Sequence, residues 1–302
     1  MKLFQTNLDS IHLGEAEGPL KETDTLFSQH IPVLNPSFRE RSYALGWIRT
    51  QLPGVTGVMG DNIRILGMDQ LPVIGEGTES RLVLYHQGAT VGYFPSLYQF
   101  PESRSGIVVL TNSIALGDQA DWIAQCLAQV LFNDTKKIDW LALSEETKYR
   151  CLAKYTAMKD EIASKKKPGT ARDLEEYVGD YWDSSGLFFI QVRRKPGGGD
   201  DTLEIAYQGL DEHAYDLRHY YDDVFEWTLT RDETAKRARY HMFGLDFFLM
   251  VFRGEKVDEL AWHDDGNLPT PRILRKKTPS AWLTVASWLK GLRRSVCRLW
   301  VN

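Results

Sequence analysis

From Arg81 to Ser113 the chain reads RLVLYHQGATVGYFPSLYQFPESRSGIVVLTNS, and three apolar stretches alternate with brief polar breaks. The first stretch ends in His86-Gln87-Gly88, the second is aromatic, and the third ends in Thr111-Asn112. Three strands joined by Gly- or Pro-marked turns predict an antiparallel meander. Upstream, the segment ERSYALGWIRTQLPG from Glu40 predicts a strand, and Gly54 to Gly77 reads as loop, broken by Pro53 and Pro72. Residues 1–40 carry little pattern, with Pro32 and Pro36 near a loop, and read as the remnant of a helical region.

After the meander the period becomes helical. Asp118 is placed as an N-cap, with Asp121 three residues on. Ile123, Cys126, Leu127, Val130 and Leu131 then form one apolar stripe, which predicts a helix lying on the sheet with Cys126 in the core. A second helix is expected from Ser144 to Lys165, with Leu152, Tyr155 and Ile162 at helical spacing. Lys165-Lys166-Lys167-Pro168-Gly169 ends it and marks a boundary.

From Leu174 the period is two. Strands are expected at Leu187–Val192, around Leu203, Ile205 and Tyr207, around Phe225, Trp227 and Leu229, at Phe247–Phe252, at Val257–Trp262, and near Ile273 and Leu274. About six strands with one apolar face predict a small antiparallel barrel or curved sheet. The tail differs again. Trp282, Val285, Trp288, Leu292, Val296 and Leu299 share one helical face among Lys290, Arg293, Arg294 and Arg298. Such a basic amphipathic helix packs on the protein's own body, docks on a partner or touches a membrane surface, and packing is the commonest outcome.

A length of 302 residues favours two domains, and 43% hydrophobic with 12% aromatic residues suffices for two cores. The net charge of −5 gives no basic footprint for nucleic acid, so none is expected as a partner. Cys126, Cys151 and Cys297 form no Cys-x-x-Cys, which predicts reduced thiols in a cytoplasmic chain without a zinc site. The N-terminus reads as no signal peptide, and no run approaches the roughly 18 apolar residues of a membrane span.

The His86-x-Gly88 strand end, with Gly92-Tyr93 after it and Tyr43-x-Leu45-Gly46-Trp47 before it, resembles the third active-site motif of the β-lactamase-like serine hydrolases. That family includes penicillin-binding proteins, class C β-lactamases, esterases and acyltransferases. LVLYHQG and GIVVLTNS most resemble its branch in filamentous fungi, whose members serve secondary metabolism. The resemblance implies an α+β chain: the C-terminal part of a β-lactamase-like domain, an antiparallel sheet covered by helices, followed by an antiparallel lipocalin-like β-domain. It divides the chain into a partial hydrolase domain (1–135), a helical linker (136–172), a barrel-like domain (173–278) and the tail (279–302).

By the same resemblance, the His86 strand walls a substrate cleft and the Ala89 backbone N–H serves an oxyanion hole. Gly88 lets substrate approach the backbone, and His86 is a pH-dependent donor. Tyr93, Phe94 and Gln87 complete the candidate binding set; Gln87 points away from the wall, because strand neighbours alternate. The family's nucleophile is the gap. Its Ser-x-x-Lys and tyrosine motifs belong upstream of His86 and are absent, and no Gly-x-Ser-x-Gly exists. The Ser-x-x-Lys at Ser164 to Lys167, far downstream of His86, reads as a solvated charge run.

His263-Asp264-Asp265 reads as a turn, and His213 and His219 have no metal-site spacing, so neither metal nor cofactor is expected. The implied reaction is acyl transfer on a small ester, amide or acyl metabolite, with the nucleophile outside these residues. The alternative is a binder or cyclase-like pseudoenzyme that uses the cleft or the aromatic β-domain. Half a hydrolase domain would expose a sheet edge, which predicts self-association or a completing partner chain.

Overall fold

The computed structural model describes residues 2–13, 20–34, 39–113, 116–199, 202–239 and 244–277. The expected tail helix at 279–302, Cys297 and the expected loop proline Pro36 lie outside the described residues. The contacts divide the chain into two compact units. The first takes the described residues of Met1–Ala157 and Thr230–Met242, and the second those of Met158–Leu229 and Phe243–Asn302.

In the first unit, helices α1 (Lys2–Leu13) and α2 (Thr23–Phe27) precede strands β1 (Ile31–Pro32), β2 (Arg41–Tyr43), β3 (Ile48–Leu52) and β4 (Gly54–Val55). The short helix α3 (Asp61–Leu66) leads to β5 (Val73–Ile74) and then to the meander β6 (Arg81–Gln87), β7 (Phe94–Phe100) and β8 (Ser105–Thr111). Helix α4 (Gln119–Leu131) follows, and then α5 (Trp140–Lys165), which belongs to this unit as far as Ala157. The six-stranded sheet has the order β1-β2-β3-β6-β7-β8, and all its pairings are antiparallel. The single strand expected from Glu40 is instead the hairpin β2–β3, because Gly46 takes a φ of 82° that turns the chain at Leu45-Gly46. The second long helix starts at Trp140, four residues before the expected Ser144.

One row of side chains crosses the sheet through Ile48, Tyr85, Tyr98 and Ile107, each opposite the next and each buried. Trp122, Ala124 and Ala128 of α4 pack on this row. Here the sequence expectation is overturned. Ile123, Leu127, Val130 and Leu131 are 46%, 46%, 71% and 50% exposed, and Cys126 is half-buried. The buried face of α4 is Ala120, Asp121, Trp122, Ala124, Gln125, Ala128 and Gln129. The small alanines let the helix approach the sheet closely, and Asp121 and Gln125 join a buried polar network. The apolar stripe is therefore left outside.

The second unit is a closed barrel of β9 (Gly179–Trp182), β10 (Phe189–Arg194), β11 (Leu203–Tyr207), β12 (Ala214–Tyr221), β13 (Val224–Glu226), β14 (Leu249–Arg253), β15 (Glu259–Trp262) and β16 (Arg272–Lys277). Each strand pairs antiparallel with the next, and β16 closes on β9. This up-and-down order leaves no free edge. The barrel expectation holds, but eight strands replace about six. The short β9 and the charged alternation of β12 (Asp216, Arg218) supplied the missing two.

Val192, Ile205 and Tyr215 stand opposite one another in the register and are buried, as are Leu260 and Leu274. Tyr207, Trp227, Phe247 and Trp262 close a ring of contacts with centroids 5.3 to 5.7 Å apart. At that spacing these aromatics fill one another's space as a packed core. Between β13 and β14, α6 (Arg231–Lys236) returns to the first unit, started by a capping box of Thr230 and Glu233.

Candidate functional site

Strand β6 carries the candidate motif out to its end, where neighbouring side chains go to opposite faces. His86 is half-buried, and its Nδ1 lies within hydrogen-bond distance of the Gln87 carbonyl. A carbonyl only accepts, so Nδ1 carries the proton. In the neutral ring Nε2 is then the acceptor, and Tyr43 donates its O–H to it at 3.2 Å. The two rings meet edge to face at 5.9 Å. Tyr43 was legible only as part of an aromatic pattern; the fold joins it to His86 across 43 residues of chain.

Beyond the strand, Gly88 N–H donates to the Pro95 carbonyl at 2.9 Å. A Cβ at Gly88 would lie 2.7 Å from Pro95 Cγ, so this glycine is required by the neighbouring strand. Ala89 is exposed, and its N–H has no hydrogen-bond partner among the described residues. Thr90 and Tyr93 then exchange two backbone bonds of 3.0 and 2.8 Å across a tight turn, in which Gly92 takes a φ of 87°. Tyr93 is 62% exposed. Phe94 is buried against Ala120 and Val109, between sheet and helix, so it lines no pocket mouth. The structure therefore brings His86, Gly88, Ala89 and Tyr93 to one strand end and sends Gln87 and Phe94 to the other side.

On that other side Gln87 supports the wall. Its amide donates to Asp121 Oδ1 at 2.8 Å, where Ser96 Oγ and Tyr98 OH also donate at 3.1 and 2.9 Å. Gln125 donates to Oδ2 at 2.7 Å. Asp118 caps α4 by accepting from the Asp121 N–H at 3.1 Å. Burial raises both carboxyls above the ordinary range. For Asp118, burial and then the neighbouring Asp121 carboxylate push the pKa up to about 8, and Asp61 adds to it. Asp61 is itself buried, at 4% exposure. The 57–60 loop passes so close that a Cβ on Gly57 would lie 2.5 Å from Asp121 Oδ2, and one on Gly60 2.8 Å from Asp118 Oδ2. Only the capping role of Asp118 was legible in the sequence.

The other candidates are built into local structure. Ser164 Oγ donates to the Glu161 carbonyl at 3.0 Å, and Lys165 pairs with the Glu161 carboxylate at 2.5 Å. Asp264 pairs with Arg272, while Asp265 accepts from the backbone and side chain of Asn267. His219 Nε2 donates to the Asp222 carbonyl at 2.9 Å. Among the described residues no group of three His, Cys, Asp or Glu is placed to hold a metal ion. A cavity of about 690 Å3, lined by Arg41, Thr50, Pro53, Val73 and Glu76 among others, includes none of the candidate residues. No helix among the described residues is long and apolar enough to cross a membrane.

No known family model matches the chain, and no curated protein matches it. Among solved structures, the C-terminal domain of a penicillin-binding protein is 19% identical, over 36% of this chain and 90% of that one, with a TM-score of 0.26. An octameric penicillin-binding protein homologue from Pyrococcus abyssi is 14% identical, over 84% and 41%, with a TM-score of 0.25. SurE with D-Leu is 12% identical, over 90% and 48%, also with a TM-score of 0.25. The chain thus spans less than half the length of the last two. Likenesses at these TM-scores fix neither a shared fold nor a residue correspondence.

Proposed function

We propose that the first unit is the substrate-wall portion of a β-lactamase-like serine hydrolase or acyltransferase acting on a small ester, amide or acyl metabolite. Tailoring of a secondary metabolite is its concrete form. One observation carries this reading: an exposed Ala89 N–H, without a hydrogen-bond partner among the described residues, follows the strand end that holds the His86–Tyr43 pair. An N–H fixed by a rigid strand is what a developing oxyanion requires, and a histidine beside it supplies a second polar contact. The buried Gln87–Asp121 bond keeps that strand end in place from behind.

Acylation itself needs a nucleophile and a base, and among the described residues none stands in the role that Ser-x-x-Lys plays. In this reading the described residues bind the acyl group and its oxyanion, and the attacking hydroxyl lies outside them. A second reading, a binder without covalent chemistry, is favoured by that same lack of a nucleophile.

The test is an NMR titration of the full chain with a small alkyl phosphonate monoester, a stable mimic of the tetrahedral oxyanion. Saturable shifts of the Ala89 amide and the His86 ring are the expected result. Shifts that avoid residues 85–93 up to millimolar ligand would overturn both readings of this cleft. A fluorophosphonate adduct on the isolated chain would show that a serine within it is activated and would overturn the division of labour.

A further inference from the structure

Both nitrogens of His86 are already engaged inside the protein. The proton of the neutral ring sits on Nδ1, facing the Gln87 carbonyl, and Nε2 accepts from Tyr43. The polar atom of this pair with capacity left is therefore Tyr43 Oη. Its O–H is directed to His86, and its lone pairs accept from no group among the described residues. An oxygen in that state can only accept, so the group it meets is a donor. Both side chains are half-buried and held from behind. Tyr43 stands opposite Ile48, its carbonyl takes the His30 N–H at 3.0 Å, and its ring meets the imidazole edge to face. Gln87, whose carbonyl faces Nδ1, stands opposite Ser96 and is tied by its amide to the buried Asp121.

We infer that Tyr43 and His86 form a proton-accepting dyad, in which Tyr43 is the catalytic residue that touches the attacking hydroxyl of an alcohol or water. The assignment rests on the acyl-transfer role proposed for the first unit. It gives the histidine the task of a base, reached through Tyr43, in place of direct donation to the substrate.

As the oxygen of R–O–H bonds to the acyl carbon, its O–H bond breaks and the proton goes to Tyr43 Oη. Tyr43 passes its own proton to His86 Nε2 in the same step, so the phenol stays neutral. The ring becomes an imidazolium that donates through Nδ1 to the Gln87 carbonyl and through Nε2 to Tyr43, two contacts that are in place beforehand. The π pair of the substrate carbonyl moves to its oxygen, and that oxyanion falls to the Ala89 N–H. When the tetrahedral intermediate collapses, the proton returns from Nε2 through Tyr43 to the leaving oxygen or nitrogen.

The test is a titration of the full chain with an alkylboronic acid, whose hydration copies this step. Water adds to the trigonal acid, giving a tetrahedral boronate anion and one proton. The boron NMR shift reads the tetrahedral form, the His86 ring nitrogens read the imidazolium, and the Ala89 amide reads the oxyanion contact. All three are expected to change together and to saturate. Tyr43→Phe is expected to weaken boronic acid binding about fivefold, as loss of one hydrogen bond does, and to leave the ring neutral. The alkyl phosphonate monoester has no O–H, and Tyr43→Phe is expected not to weaken its binding. A trigonal boron and a neutral ring beside a shifted Ala89 amide overturn the inference and leave the substrate-wall reading standing. So does an equal loss of both probes in Tyr43→Phe, which makes Tyr43 a structural residue only. An Ala89 amide that moves with neither probe overturns the wall reading and the inference with it.

Discussion

Raising the pH from 5 to 9 should destabilise the first unit, and the carboxyls beneath β6 give the reason. Asp118 titrates near 8 in the folded chain because it is buried beside Asp121, whereas in the unfolded chain it titrates near 3.8. Between those values the folded chain holds a proton that the unfolded chain has released, so rising pH favours unfolding. Stability from this group is complete below pH 4 and is lost as the pH passes through about 8. The span from 3.8 to about 8 corresponds to as much as about 6 kcal/mol, comparable with the whole stability of a small domain.

Asp118→Asn removes the titration and keeps a good N-cap for α4. Urea unfolding at pH 5, 7 and 9 measures the effect, and the wild-type minus variant difference cancels groups elsewhere in the chain. The wild-type midpoint is expected to fall with pH while the variant's falls less, so the variant becomes the more stable protein at pH 9. A wild-type midpoint that is level or rising from pH 5 to 9 refutes the reasoning. So does a variant that loses the same stability at every pH.

Gly57→Ala combines a left-handed φ of 76° with a Cβ 2.5 Å from Asp121 Oδ2, and is expected to cost about 1–3 kcal/mol in urea unfolding. Leu260→Ala empties a fully buried position in the barrel and is expected to cost about 2–5 kcal/mol, read from the barrel's own amide exchange. Thr230→Ala breaks the capping box of α6 and is expected to cost about 1 kcal/mol, with faster exchange confined to that helix. Tyr43→Phe removes the O–H that Nε2 of His86 accepts. The ring's 15N shifts are expected to move away from the Nδ1-protonated tautomer, and an unchanged tautomer would show that the Gln87 carbonyl alone sets it.

The elements were legible wherever the pattern was local. Three apolar stretches between turn residues gave the meander, and alternation at Leu203, Ile205 and Tyr207 gave a barrel strand, because side-chain period is a property of a few consecutive residues. Asp118 was readable as a cap because capping chemistry also lies within one turn of helix. Strand β9 was not readable: four residues carry too little period, and it is placed by pairing with β10 and β16, far apart in sequence.

What the chain determines by itself, then, is where the strongly patterned strands and helices form, and that His86, Gly88 and Ala89 stand together at a strand end. Which side of α4 goes inward was decided by the tertiary structure, against the apolar stripe. Buried donors on Gln87, Ser96 and Tyr98 demanded an acceptor, and Asp121 answered it from the helix face opposite the leucines. Barrel closure, the Tyr43–His86 bond and the raised Asp118 pKa belong to the same class. Each depends on groups brought together from distant positions, and burial, which sets their strength, exists only once the chain has packed.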